Sequence, residues 1–270
     1  TTSGRAYNLK LLGANTTVSN SVVFNHTGTL TLGDDATDTL SFAGGLTATA
    51  PSSISAAGHI STSDAAVVFG NAPLVLTDDV TITAGNANVD FGGTINTASL
   101  TAKSLTVSTT GATTFTAAVG GATDGALSTL TTTAATPANA GTVTFNDGHV
   151  TTTSHQNYGG AVLLGADAIL DASAGDVTFG KTVNTLASAN ASPTLAKSLT
   201  VITTGATTFN GAVGSEVDGA LKAVAISAAT PAQAGSVTFN DGHVTTTGNQ
   251  SYKGVVLLGA DTILNAGAGD

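Results

Sequence analysis

The most promising polar constellation is a tetrad that occurs twice, Asn146-Asp147-Gly148-His149 and Asn240-Asp241-Gly242-His243. A carboxylate and an imidazole two residues apart could contact a metal ion or a sugar hydroxyl, and Asp147 and Asp241 are where a weak calcium site would be placed. The same residues have a plainer use: Asp-Gly is a common tight-turn pair, since glycine accepts positive φ. Recurrence favours the turn, because a catalytic site seldom appears in every unit of an array. No catalytic or cofactor-binding residue is assigned, and calcium at Asp147 and Asp241 stays a weak alternative.

The other candidates are weaker. Sugar-cleaving enzymes on β-helical scaffolds need two carboxylates roughly 5–10 Å apart, or cations and a metal that stabilise a developing anion. The chain has one glutamate, Glu216, with Asp218 two residues on, in a Gly-Ser-Glu-Val-Asp-Gly stretch that reads as a solvated loop. Asp34-Asp35 and Asp78-Asp79 are adjacent pairs that would point to opposite faces of a strand and read as turn residues. His26, His59 and His155 stand apart in a chain without cysteine, and no zinc, EF-hand or calcium-nonapeptide spacing is present. Tyr158 and Tyr252 recur before Val-Leu-Leu and could stack on sugar, but a partly buried corner is the simpler role. Asn15-Thr-Thr, Asn25-His-Thr and Asn190-Ala-Ser match the glycosylation acceptor pattern as expected from composition.

Composition limits what could position such residues. The 270 residues are 41% hydrophobic and 9% charged, with 33 glycines, no cysteine, methionine or tryptophan, and a net charge of −10. Low charge with substantial apolar content predicts a folded chain, not a disordered tail. Seven basic residues cannot form the positive stripe that neutralises phosphates, so nucleic acid is not an expected partner. No apolar run approaches the roughly 18 residues of a membrane helix. The first ten residues lack the pattern of a secretory signal, and the last residues break off inside a repeat, which reads as a piece of a longer protein.

The repeat is the main signal. Residues 103–176 align with 197–270 without a gap at an offset of 94, with 52 of 74 positions identical. A third, partial copy runs from Asp79 to Thr97 and matches Asp167 to Thr185 at an offset of 88; the difference falls in a small, polar stretch, 186–193, that reads as a surface loop. The expected organisation is one continuous segment over 1–270. It comprises a divergent region 1–78, repeat blocks 79–166 and 167–260, and the start of a further block at 261–270.

Within each copy short runs alternate apolar and polar residues, as in Ser104-Leu-Thr-Val-Ser108 and Thr39-Leu-Ser-Phe42. Period two predicts strands with one buried face, and no segment carries a helical period. Two all-β architectures fit: a parallel β-helix, or β-solenoid, and a string of tandem immunoglobulin-like β-sandwiches of about 94 residues each. The absence of tryptophan and the nine phenylalanines spaced 18 to 34 apart favour the solenoid, whose thin core small residues can fill. A rung near 20 residues would give ~13 rungs, and at ~4.8 Å per rung a rod on the order of 60 Å.

The phrases Gln156-Asn-Tyr-Gly-Gly-Ala-Val-Leu-Leu-Gly-Ala-Asp167, Gly175-Asp-Val-Thr-Phe-Gly-Lys-Thr-Val183 and Ser198-Leu-Thr-Val-Ile-Thr-Thr-Gly205 resemble the large repetitive exoproteins of Gram-negative bacteria, of the filamentous haemagglutinin and autotransporter-adhesin type. The resemblance covers 79–270 well and 1–78 by composition only. It implies a right-handed parallel β-helix, exported through the outer membrane to the extracellular space or cell surface, serving as stalk, adhesin or matrix fibre. Lack of cysteine fits export of an unfolded chain. The expected role is non-enzymatic, with self-association into a fibre and contact with surface glycans or proteins. A carbohydrate-active enzyme on the same scaffold and a phage or cell-envelope structural protein are the alternatives.

Overall fold

In the computed structural model, the described residues are 1–98, 101–187, 195–215, 219–230 and 233–267. They form two compact units, Thr1–Gly141 and Thr142–Asp270, and each is a parallel β-solenoid. The cause is local: short strands that alternate buried and half-buried residues, such as Leu105–Thr109 and Val177–Phe179, cannot close a core alone and are covered by the strand one coil later. Every strand pairing defined among the described residues is parallel, which excludes immunoglobulin-like sandwiches, whose sheets are antiparallel.

Unit Thr1–Gly141 has three stacked sides. One carries Leu9–Leu11, Thr29–Leu32, the first half of Ser53–Ser61, the first half of Leu74–Gly85, and Ile95–Thr97. The next carries Asn15–Val18, Thr39–Phe42, the second halves of the two long strands, Leu105–Thr109 and Leu130–Thr133. The last carries Val22–Val23, Leu46–Ala48, Val67–Phe69, Val89–Phe91 and Thr113–Phe115.

Unit Thr142–Asp270 repeats the plan. Its first side stacks Val143–Phe145, Val162–Leu164 and Val183–Thr185, then Val213 and Val244 through single bridges. Its second stacks His149–Thr151, Ala168–Ser173, Leu199–Thr203, Val224–Ser227 and Gln250–Tyr252. Its third stacks Gln156–Tyr158, Val177–Phe179, Thr207–Phe209, Val237–Phe239 and Val256–Leu258.

The coil is longer and less regular than the sequence led us to expect. The two solenoids make about 10 turns together, not ~13. A turn takes 19 residues from Val143 to Val162 but 31 from Val213 to Val244. The strands in these two turns are three or four residues long, so the difference lies in the segments between strands.

The core is thin and filled by stacking like on like. All nine phenylalanines are at most 2% exposed. Phe69, Phe91 and Phe115 lie over one another with ring centres 5.6 and 5.2 Å apart, and Tyr158, Phe179, Phe209 and Phe239 do so at 5.5, 4.8 and 5.2 Å. These separations follow the ~4.8 Å step between paired strands. Removing one ring leaves a hole that neighbours fixed by their own hydrogen bonds cannot close. Phe179→Ala should therefore cost about 3–5 kcal/mol of unfolding free energy, while Thr178→Ala, which faces outward between the same neighbours, should cost less than about 1 kcal/mol. Denaturant melts of the two variants make the comparison.

Candidate functional site

Three carboxylates, Asp79, Asp167 and Asp176, act as acceptors for backbone N–H groups of the next coil. A strand leaving a corner has an N–H that the ladder does not use, and a short Asp or Asn side chain one coil away reaches it. Asp79 Oδ1 accepts from the Ser104 N–H at 2.8 Å, Asp167 Oδ1 from Ser198 at 2.8 Å and Asp176 Oδ1 from Ala206 at 2.8 Å. Asn88, Asn96 and Asn184 do the same for Ala112, Ala122 and Ser215 at 2.9, 3.0 and 3.1 Å. This corner bond was missed in the sequence, although a signal was present: Asp or Asn stands just before an alternating run in copy after copy.

The adjacent acidic pairs behave likewise. Asp38 accepts from the Asp34 and Asp35 N–H groups, and Asp35 accepts from Thr37, whose bonds hold the Asp35 carboxyl below the usual carboxylate range. Asp78-Asp79 lies inside the strand Leu74–Gly85 and not in a separate turn. Asp78 bonds the Lys103 ammonium at 2.7 Å, which lowers the Asp78 pKa and raises that of Lys103. Both groups are substantially solvated, so the pair contributes little to stability. Glu216, Asp218, Asn190 and most of the 186–193 stretch lie outside the described residues.

The repeated tetrads form corners. His149 Nδ1 lies 2.8 Å from Asp147 Oδ1, and His243 Nδ1 lies 3.6 Å from Asp241 Oδ1. All four side chains are well exposed. Gly148 adopts φ +83° as expected; Gly242 does not have positive φ. What both glycines share is close approach: a Cβ on Gly148 would stand 2.2 Å from the Asp167 carbonyl oxygen, and one on Gly242 2.0 Å from that of Asp261. The tetrad's glycine lets one coil pass against the next. Among the described residues no group of three or more His, Cys, Asp or Glu side chains could hold a metal ion. One carboxylate and one imidazole fall short of the six to eight oxygens calcium takes.

The histidines and tyrosines are equally occupied. His26 is fully buried, stacked on Tyr7 at 5.0 Å, with Nε2 3.2 Å from the Thr29 carbonyl oxygen. His59 Nε2 lies 2.9 Å from Thr83 Oγ1, and His155 Nδ1 accepts the Asp176 N–H at 2.9 Å. Tyr158 is fully buried, beyond the partial burial expected, so it cannot stack on sugar. Its hydroxyl donates to Gln156 Oε1 at 2.9 Å, and Gln156 Nε2 donates to the Asp171 carbonyl at 2.9 Å and to Thr152 Oγ1 at 3.2 Å. Tyr252, Gln250 and Thr246 repeat the network at 3.0, 2.9 and 3.2 Å, less deeply buried.

Two shallow surface clefts are lined by described residues alone. One, of about 270 Å³, is bordered by Asp64, Thr83, Asn86, Ser108 and Thr110. The other, of about 170 Å³, is bordered by Leu76, Thr77, Ala98, Thr101 and Lys103. The first has one carboxylate, and Asp64 Oδ1 already accepts the Asn86 N–H at 3.0 Å. Neither cleft brings two carboxylates together. No family model matches the chain, and no curated protein or solved structure matches it.

Two measurements probe these assignments. Asp167→Ala should lower stability by about 1 kcal/mol by leaving the Ser198 N–H without its acceptor, and Asp167→Asn should restore most of it. Burial raises the pKa of both Tyr158 and Tyr252. The folded state therefore keeps each hydroxyl protonated where the unfolded chain ionises it. Their contribution is intact below the unfolded value of about 10 and is lost as pH rises from there toward the folded values. Melting temperature should fall above about pH 10, and less steeply in Tyr158→Phe/Tyr252→Phe than in the parent.

Proposed function

We propose that this chain is a non-enzymatic structural segment of a large secreted bacterial surface or matrix protein of the filamentous haemagglutinin and autotransporter-adhesin type. Its work is extension and adhesion outside the cell, with association between copies. One observation carries the reading: polar groups at the corners, which a catalytic solenoid would gather into a cleft, are distributed along the coils as acceptors for the backbone of the next coil. Such bonds stiffen a ladder.

Association between copies is the part of this proposal that sedimentation velocity tests: concentration-dependent association supports it, and a monomer at every concentration removes self-assembly from the reading. The rival is a carbohydrate-active enzyme, favoured by the Asp147–His149 pair. Glycan turnover by the chain that Asp147→Ala or Asp241→Ala abolishes would establish the rival and end the structural assignment.

A further inference from the structure

The two sequence copies in the unit Thr142–Asp270 do not sit on the same side of the solenoid. Val143 belongs to the first side, stacked with Val162, Val183, Val213 and Val244; its copy Val237 belongs to the third, between Thr207 and Val256. Val150 is on the second side and its copy Val244 on the first. Gln156 is on the third side and its copy Gln250 on the second. The displacement is the same each time. From Val143 to Val237 the chain advances by eleven sides of a three-sided coil, three whole turns and two sides more.

The aromatic core shows how this is accommodated. On the third side Tyr158, Phe179, Phe209 and Phe239 stack face to face. At the lower end Tyr158 meets Phe145, on the first side, edge-on at 5.4 Å and 82°. At the upper end Phe239 meets Tyr252, on the second side, edge-on at 5.4 Å and 77°. Phe145–Tyr158 and Phe239–Tyr252 are copies of one contact, and each marks the place where the ladder passes from one side to the next. The Gln156–Tyr158 bond and its copy Gln250–Tyr252 hold the tyrosine at this crossing.

We infer that the 94-residue repeat spans three and two-thirds turns, so that each copy presents its outer residues one third of a turn round from the copy before, and a partner that contacts every copy does so round the axis. The Asp147–His149 corner joins the first side to the second, whereas the Asp241–His243 corner joins the third to the first. A planar partner such as a lipid bilayer or a crystalline polysaccharide meets a given repeat-borne corner once in three copies. A partner that wraps the solenoid, or several small ones bound singly, meets it in all. This concerns the surface alone and holds whether or not the chain is an adhesin.

The test uses pairs of nitroxide spin labels on outward positions of the full chain, with distances from pulsed dipolar spectroscopy. Asn157 and Leu257 share the third side four coils apart. The Asn157→Cys/Leu257→Cys pair therefore serves as the same-side control, at about 19 Å between backbone positions. The copy pair Thr144→Cys/Thr238→Cys is closer along the axis but on different sides. Its backbone positions are about 18 Å apart along the axis and about 10 Å apart across it, about 20 Å in all, and because its two labels point away from one another while those of the control point the same way, its label distance should exceed the control's. A second copy pair, Asn157→Cys/Ser251→Cys, should exceed it likewise, and serves if the first fails to fold. Copy pairs no longer than the control would place the copies on one side and overturn the inference.

Discussion

Parallel in-register pairing between one coil and the next is the constraint on which the rest of this structure depends. Each strand is too short to bury its apolar face or satisfy its backbone alone, so the neighbouring coil supplies both. In-register stacking puts a side chain directly over its counterpart at the strand spacing, which is why Phe69, Phe91 and Phe115 lie on one another, as do Phe179, Phe209 and Phe239. The same rule fixes the corners, where the ladder is interrupted and a backbone N–H is left over. Asp and Asn are placed one coil away to accept it. Core and corner therefore solve one problem, that of an interrupted strand, with different side chains.

That division of labour bears on function. In a solenoid the outward side chains stand on a regular lattice, and a catalytic pair must be made by letting corners diverge until they converge on a cleft. Here Asp79, Asp167 and Asp176 are drawn toward the backbone, and among the described residues no third His, Cys, Asp or Glu joins the exposed Asp147–His149 pair. The buried Thr152–Gln156–Tyr158 network links its polar groups to one another and to the backbone, and it faces the core. It closes the hydrogen-bonding needs of a tyrosine used as a hinge between two aromatic ladders.

The rotation between copies adds a requirement on the fold. Segments of nearly identical sequence occupy all three sides of the unit Thr142–Asp270, so the sides must be near-equivalent environments. A core built of Val, Leu and one ring per coil meets that requirement, because none of these residues needs a directional partner. Gln156 and Tyr158 do need one, and they carry it with them: their acceptors and donors lie within the copy, at Thr152 and Asp171, and recur at Thr246 and Asn265.

Much of the fold was legible in the amino-acid order. Alternation in Ser104-Leu-Thr-Val-Ser108 specifies which residues turn inward, and Leu105 and Val107 are buried as it requires. The lack of a helical period and the spacing of the phenylalanines sufficed to choose a solenoid over sandwiches, since both follow from local patterning. The number of turns, the corner bonds made by Asp79, Asp167 and Asp176, the depth of Tyr158 and the rotation of the copies were decided only in three dimensions. All of these depend on which residues meet across 19 to 31 positions of chain. That distance is set by corner lengths, and a corner, unlike a strand, has no periodicity from which its length can be read.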